Sequence, residues 1–246
     1  DGHWSGIELR KNNAFYGDGN LLRRQTAANG APTTILTLAS DHVIIALGID
    51  PGTGKMLIST TFALNISAAR PGIHKVLWYD GFSDKPLKSA IVDEMITAFY
   101  SHEGIVYVGY GQNLGYLNGS GITFLRKLAN VTLAVEDLPY KHNFAHIGKI
   151  LFIVDGSDVL AYGEVVKGSG KAFYYIYTNE TTNLKAIFDA GSGKIGVSVA
   201  IAKLNTVDIT SVATTSGITL ISNWYYFPRP VNIRSAYIQM LGQIGA

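Results

Sequence analysis

Ser101-His102-Glu103-Gly104 leads into Ile105-Val106-Tyr107-Val108, and Ala145-His146-Ile147-Gly148 leads into Ile150-Leu151-Phe152-Ile153. The two histidines are 44 positions apart, and so are the two glycines that follow them. In both copies a short apolar run ends at a glycine-bearing turn, Gly109-Tyr110-Gly111 or Asp155-Gly156-Ser157-Asp158, and a second run returns: Leu114-Gly115-Tyr116-Leu117 or Val159-Leu160-Ala161-Tyr162. Two β-runs, two turns and a period in the mid-forties are what one blade of a β-propeller looks like in sequence. Gly191-Ser192-Gly193-Lys194 places a glycine 45 residues beyond Gly148 and opens an alternating run at 195–201, a third copy without the histidine. The clearest repeats cover 97–210.

Working outward, this spacing expects an all-β domain over 1–246 with about five blades. Its rival is a β-sandwich, one or two domains, which also shows short strands at regular spacing. The N-terminal third keeps the period poorly, although 34–38, 42–47, 55–61 and 74–79 read as strands around the turns Asp50-Pro51-Gly52-Thr53-Gly54 and Asp80-Gly81-Phe82-Ser83-Asp84. Segment 87–100 carries two patterns, a helical spacing of Ala90, Ile91, Met95 and Ile96 and a strand-like alternation from Ile96 to Tyr100.

Composition points the same way. Twenty-seven glycines, 14 tyrosines and only 15% charged residues describe short strands and tight turns. A net charge of +2 gives no electrostatic footprint for nucleic acid, and no apolar run has the length of a membrane span. The absence of cysteine removes disulfides, thiolate metal sites and cysteine nucleophiles. The chain opens Asp1-Gly2-His3-Trp4 without initiator Met or signal peptide, as expected of a piece of a longer protein.

The chemistry-bearing patterns are weak. His142 and His146 are four apart but lack the HExxH pattern, and the repeat gives His146 a structural role; neither a metal nor a cofactor is expected. A glycoside hydrolase needs two facing carboxylates, for which Asp41, Asp80, Asp137, Asp155 and Asp189 are available, although aspartate beside a strand end is usually a turn former. Asn65, Asn118, Asn130 and Asn179 head glycosylation sequons at a frequency close to chance. Aromatic rings beside amides make sugar platforms, and two groups qualify as ligand-binding candidates: Tyr110, Gln112, Asn113 and Tyr116, and Trp224 with Arg229. The bland alternative is that these rings fill the space between blades.

At 105–117 and 150–162, and in the aromatic, proline-broken stretch Trp224-Tyr225-Tyr226-Phe227-Pro228-Arg229-Pro230, the chain resembles the β-propellers of phage and virus structural proteins, especially tail nozzle and adaptor components. The resemblance implies a scaffold packed against partner rings, in a virion or at a cell surface, as a possible homo-oligomer, and carries over no functional residue. Three functions follow as expectations: a non-enzymatic virion scaffold contacting partner proteins or the host surface, a lectin-like propeller binding host glycan, and a glycoside hydrolase.

Overall fold

The computed structural model describes residues 7–10, 13–27, 30–62, 73–119, 121–131, 138–164, 170–179, 183–200 and 203–208. These build five antiparallel sheets, each a meander of consecutive strands. Sheet 1 holds β1 (Ile7–Arg10), β2 (Asn13–Asp18), β3 (Leu21–Gln25) and β4 (Thr33–Thr37). Sheet 2 holds β5 (His42–Ile49), β6 (Met56–Phe62), β7 (His74–Tyr79) and β8 (Lys88–Val92). Sheet 3 holds β9 (Ile96–His102), β10 (Ile105–Tyr110), β11 (Asn113–Asn118) and β12 (Gly121–Lys127). After a 3-10 turn at Lys141–Asn143, sheet 4 holds β13 (Phe144–Ile147), β14 (Ile150–Asp155), β15 (Asp158–Gly163) and β16 (Ala172–Thr178). Sheet 5 holds β17 (Ala186–Gly191), β18 (Lys194–Ala200) and β19 (Lys203–Asp208).

The way the sheets meet distinguishes a propeller from a sandwich. A sandwich buries one face of each sheet, whereas an interior blade buries both. In β6, Met56 and Ile58 enter the core shared with sheet 1 while Leu57, between them, enters the core shared with sheet 3. In β14, Leu151 and Ile153 face sheet 3 while Phe152 and Val154 face sheet 5. Successive residues of one strand point to opposite faces, so a strand buried on both sides reads as an unbroken apolar run. First strands adjoin first strands, β1 against β5, β5 against β9 and β13 against β17, so each meander runs outward from a common centre. The architecture is a β-propeller, and the sandwich alternative falls on this two-sided burial.

The repeat that organises the sequence is the hairpin joining first and second strands. Glu103-Gly104 (φ 49° and 76°) and Ser192-Gly193 (φ 52° and 73°) are equivalent turns between a blade's first two strands, and in the corresponding turn of blade 4 the glycine, Gly148 (φ 55°), comes first. Two positive φ values in succession match the twist of the flanking strands, and glycine adopts them without Cβ strain. The N-terminal third departs from the period because its blades differ in length: the first occupies 7–37 and the second 42–92. Segment 87–100 is extended throughout its regular part, as β8 and the start of β9, because Ile96, Ala98 and Phe99 alternate between two blade interfaces that a helix would leave unfilled. Val131, after β12, lies outside any strand and packs into the core between sheets 3 and 4.

A bulge adjusts β5. Ile44 pairs with Thr60 and Ala46 with Ser59, leaving Ile45 without a partner across the ladder. The extra residue turns its side chain into a small separate core with Met95 and Leu138.

Candidate functional site

The four described candidates do not converge. Tyr110, Gln112 and Asn113 share the β10–β11 turn, and each is engaged there. Gln112 Nε2 donates to Val131 O at 2.6 Å, and Asn113 Nδ2 donates to Glu94 Oε2 at 3.0 Å. Tyr110 packs on the core between sheets 2 and 3; burial raises its phenol pKa, and the Glu94 charge adds to the effect. Tyr116 belongs to the opposite end of β11 and packs on the core between sheets 3 and 4. Trp224 and Arg229 lie outside the described residues, as do Asp137 and Asn65.

What the structure brings together instead surrounds the second blade. Between sheets 2 and 3 lies a cleft of about 460 Å³ bordered by Asp50, Lys55, Trp78, Lys88 and Tyr116. Trp78 is only 7% exposed, and the Lys88 ammonium sits 4.4 Å from its ring centroid and 3.4 Å from Gly119 O. The Asp50 carboxylate accepts from Gly52 N and Thr53 Oγ1, fixing the β5–β6 loop that forms one rim. Ser101 Oγ donates to Ile49 O across the two blades beside it.

Above this blade, the loop from β7 to β8 presents Phe82, 86% exposed. The loop is ordered by one carboxylate: Asp80 accepts from Phe82 N and Ser83 N, each at 2.9 Å, and from Ser83 Oγ at 2.6 Å. Those bonds, Ser83 foremost, hold the Asp80 pKa down to about 2. Leu87 at the loop's end, Ile91 on β8 and Phe124 on β12 are also exposed, and β8 and β12 touch. Exposed apolar side chains therefore stud the outer strands of blades 2 and 3. Sequence reading took Phe82 only as part of a loop; its signal was an aromatic set inside an Asp-Gly-x-Ser turn.

The remaining candidates resolve into structural roles. Asp41 bonds His42; Asp189 accepts from Gly191 N; and Asp155, fully buried, accepts from Ala129 N and Asn130 N. Asn130 donates to Asp155 O and to Asp158 Oδ2, so that sequon's carboxamide serves the β14–β15 turn. His142 stacks on Tyr140 in the 3-10 turn, while His146 stacks on His102 and bonds Tyr100. Among the described residues no group of three or more His, Asp or Glu side chains is placed to hold a metal, and no helix is long and apolar enough to cross a membrane.

No family model and no curated protein matches the chain. Solved structures do. A luciferin-regenerating enzyme superposes with a TM-score of 0.55 at 11% identity, over 84% of this chain and 72% of that one. A chain of a mitotic checkpoint complex gives 0.51 at 12% identity, over 86% and 68%. At such identities the likeness is one of fold, and the class is the β-propeller. Neither is a virion structural protein.

Proposed function

We propose that this propeller is a non-catalytic interaction module that assembles with copies of itself through the exposed apolar side chains of blades 2 and 3, in the setting of a virion or surface assembly that the sequence pattern resembles. The observation that carries the reading is Phe82: a fully presented aromatic ring on a turn held rigid by Asp80. An aromatic anchor on a preorganised loop gains contact area while losing little conformational freedom on docking. Ile91 and Phe124 extend the apolar area on outer strands whose edges are open to pairing. Sedimentation velocity over a hundredfold concentration range tests it. Concentration-dependent association is expected, with Phe82→Ser combined with Ile91→Thr restoring the monomer; a wild-type chain that stays monomeric throughout overturns the self-assembly.

A second reading, glycan binding, is favoured by the cleft of about 460 Å³ where Trp78 meets Asp50 and Lys55. A reproducible hit on one sugar class in a glycan array, abolished by Trp78→Ala in a folded protein, would establish it. The hydrolase reading needs a facing carboxylate pair, and Asp41, Asp80, Asp155 and Asp189 are tied to turns and connections instead.

A further inference from the structure

We propose that the groove between blades 1 and 2 is a binding site for a ligand with an apolar body and one anionic head, a carboxylate or a phosphate. The groove measures about 430 Å³, within the usual range of small-molecule sites. Leu38, Leu77, Pro86 and Leu87 give it an apolar lining, and Lys75 and Lys85 give it positive character. Lys88 contributes only its stem, because its ammonium is turned to the neighbouring cleft over Trp78.

Lys75 is oriented by a relay. Asp41 Oδ1 lies 2.8 Å from His42 Nδ1, and His42 Nε2 lies 3.3 Å from Lys75 Nζ. With the Nδ1 proton donated to Asp41, the Nε2 lone pair accepts one ammonium N–H and leaves the others for a ligand. Among the described residues the ion pairs are Arg23–Asp18, His42–Asp41 and Lys171–Glu103, so neither Lys75 nor Lys85 stands in one. Thr60 is the independent sign. It lines the same groove, is fully buried, and its hydroxyl has no hydrogen-bond partner. It is also the direct cross-strand partner of Lys75 in the β6–β7 ladder, so its hydroxyl and the ammonium stem stand side by side on one face. A buried hydroxyl left unpaired is costly, and an anionic head held by Lys75 would give it an acceptor.

The test is titration calorimetry of the whole chain with octanoate, octyl phosphate, octanol and inorganic phosphate at low salt. At least one octyl anion should bind, with octanol and inorganic phosphate each weaker by ~10-fold or more, since head and body both contribute. Comparing octanoate with octyl phosphate tells which head the groove takes. Lys75→Met should weaken that binding by ~10-fold, the loss of one charge-assisted hydrogen bond. Should Lys75→Met fail to fold, Lys85→Met carries the same expectation. Octanol binding as tightly as both anions, neither anion binding at millimolar concentration, or affinity unchanged in a folded lysine variant each overturns the proposal.

Discussion

His102 and His146, 44 residues apart in the chain, lie ring against ring with centroids 4.5 Å apart. His102 ends β9 at the hairpin turn, paired with Ile105, whereas His146 sits one residue short of the end of β13, paired with Leu151, so the two side chains leave their strands on opposite faces and meet across the interface of blades 3 and 4. His102 is 7% exposed and its Nε2 has no hydrogen-bond partner, whereas His146 Nδ1 meets the Tyr100 hydroxyl at 2.8 Å. Tyr100 stays protonated and donates, its pKa pushed up to about 12 by burial and by Asp189.

His102 makes the fold sensitive to acid. Burial, and then the neighbouring His146, lowers the His102 pKa below its ordinary 6.5, and burial lowers that of His74 likewise. The unfolded chain therefore binds these protons more tightly than the native one. Their contribution is complete above pH ~6.5 and is lost as pH falls through the folded values. Urea unfolding midpoints should drop between pH 7.5 and 5.5, and His102→Gln should flatten that dependence. An unchanged slope in the variant would remove His102 from the account.

Asp155 ties the long connection after blade 3 to the fourth blade. Its carboxylate accepts from Ala129 N at 3.1 Å and Asn130 N at 2.8 Å, although burial raises its pKa. Asp155→Ala leaves two backbone donors without an acceptor, and should cost about 3 kcal/mol of unfolding free energy. A loss under 1 kcal/mol in chemical denaturation would mean water replaces the carboxylate.

Gly48 sets how closely blades 2 and 3 approach. A Cβ at this position would overlap the Cβ and ring of Phe99, which is buried in their shared core. Gly48→Ala should destabilise by about 2 kcal/mol through overpacking, and because Phe99→Ala frees volume into which the strands can shift, the two losses together should fall short of their sum. Strictly additive effects in that double-mutant cycle would show the contact to be unimportant.

Much of the blade plan was legible because it is local. Gly104, Gly148 and Gly193 mark turns whose positive φ values glycine adopts without strain, and hairpin register follows from the turn. Segment 87–100 was ambiguous because it joins the mostly exposed outer strand β8 to the buried first strand β9, so Ala90, Ile91, Met95 and Ile96, drawn from two strands and the turn between them, also satisfy a helical spacing. The candidate site was less legible. Tyr110 and Tyr116 look adjacent in sequence, yet they pack on opposite sides of one blade.

By itself the sequence determined the hairpins of the later blades and the propeller repeat, since each depends on contacts within a few dozen residues; the strands within 7–25, in a polar, turn-rich stretch, it did not mark. Tertiary structure alone decided which blade faces meet. That choice seats His102 on His146, joins Trp78 and Lys88 to Leu117 around one cleft, and aligns Lys75 with Thr60 and His42 in another. Side chains far apart in the chain become neighbours only when blades pack, and the pattern of a single strand carries no record of what its neighbour presents.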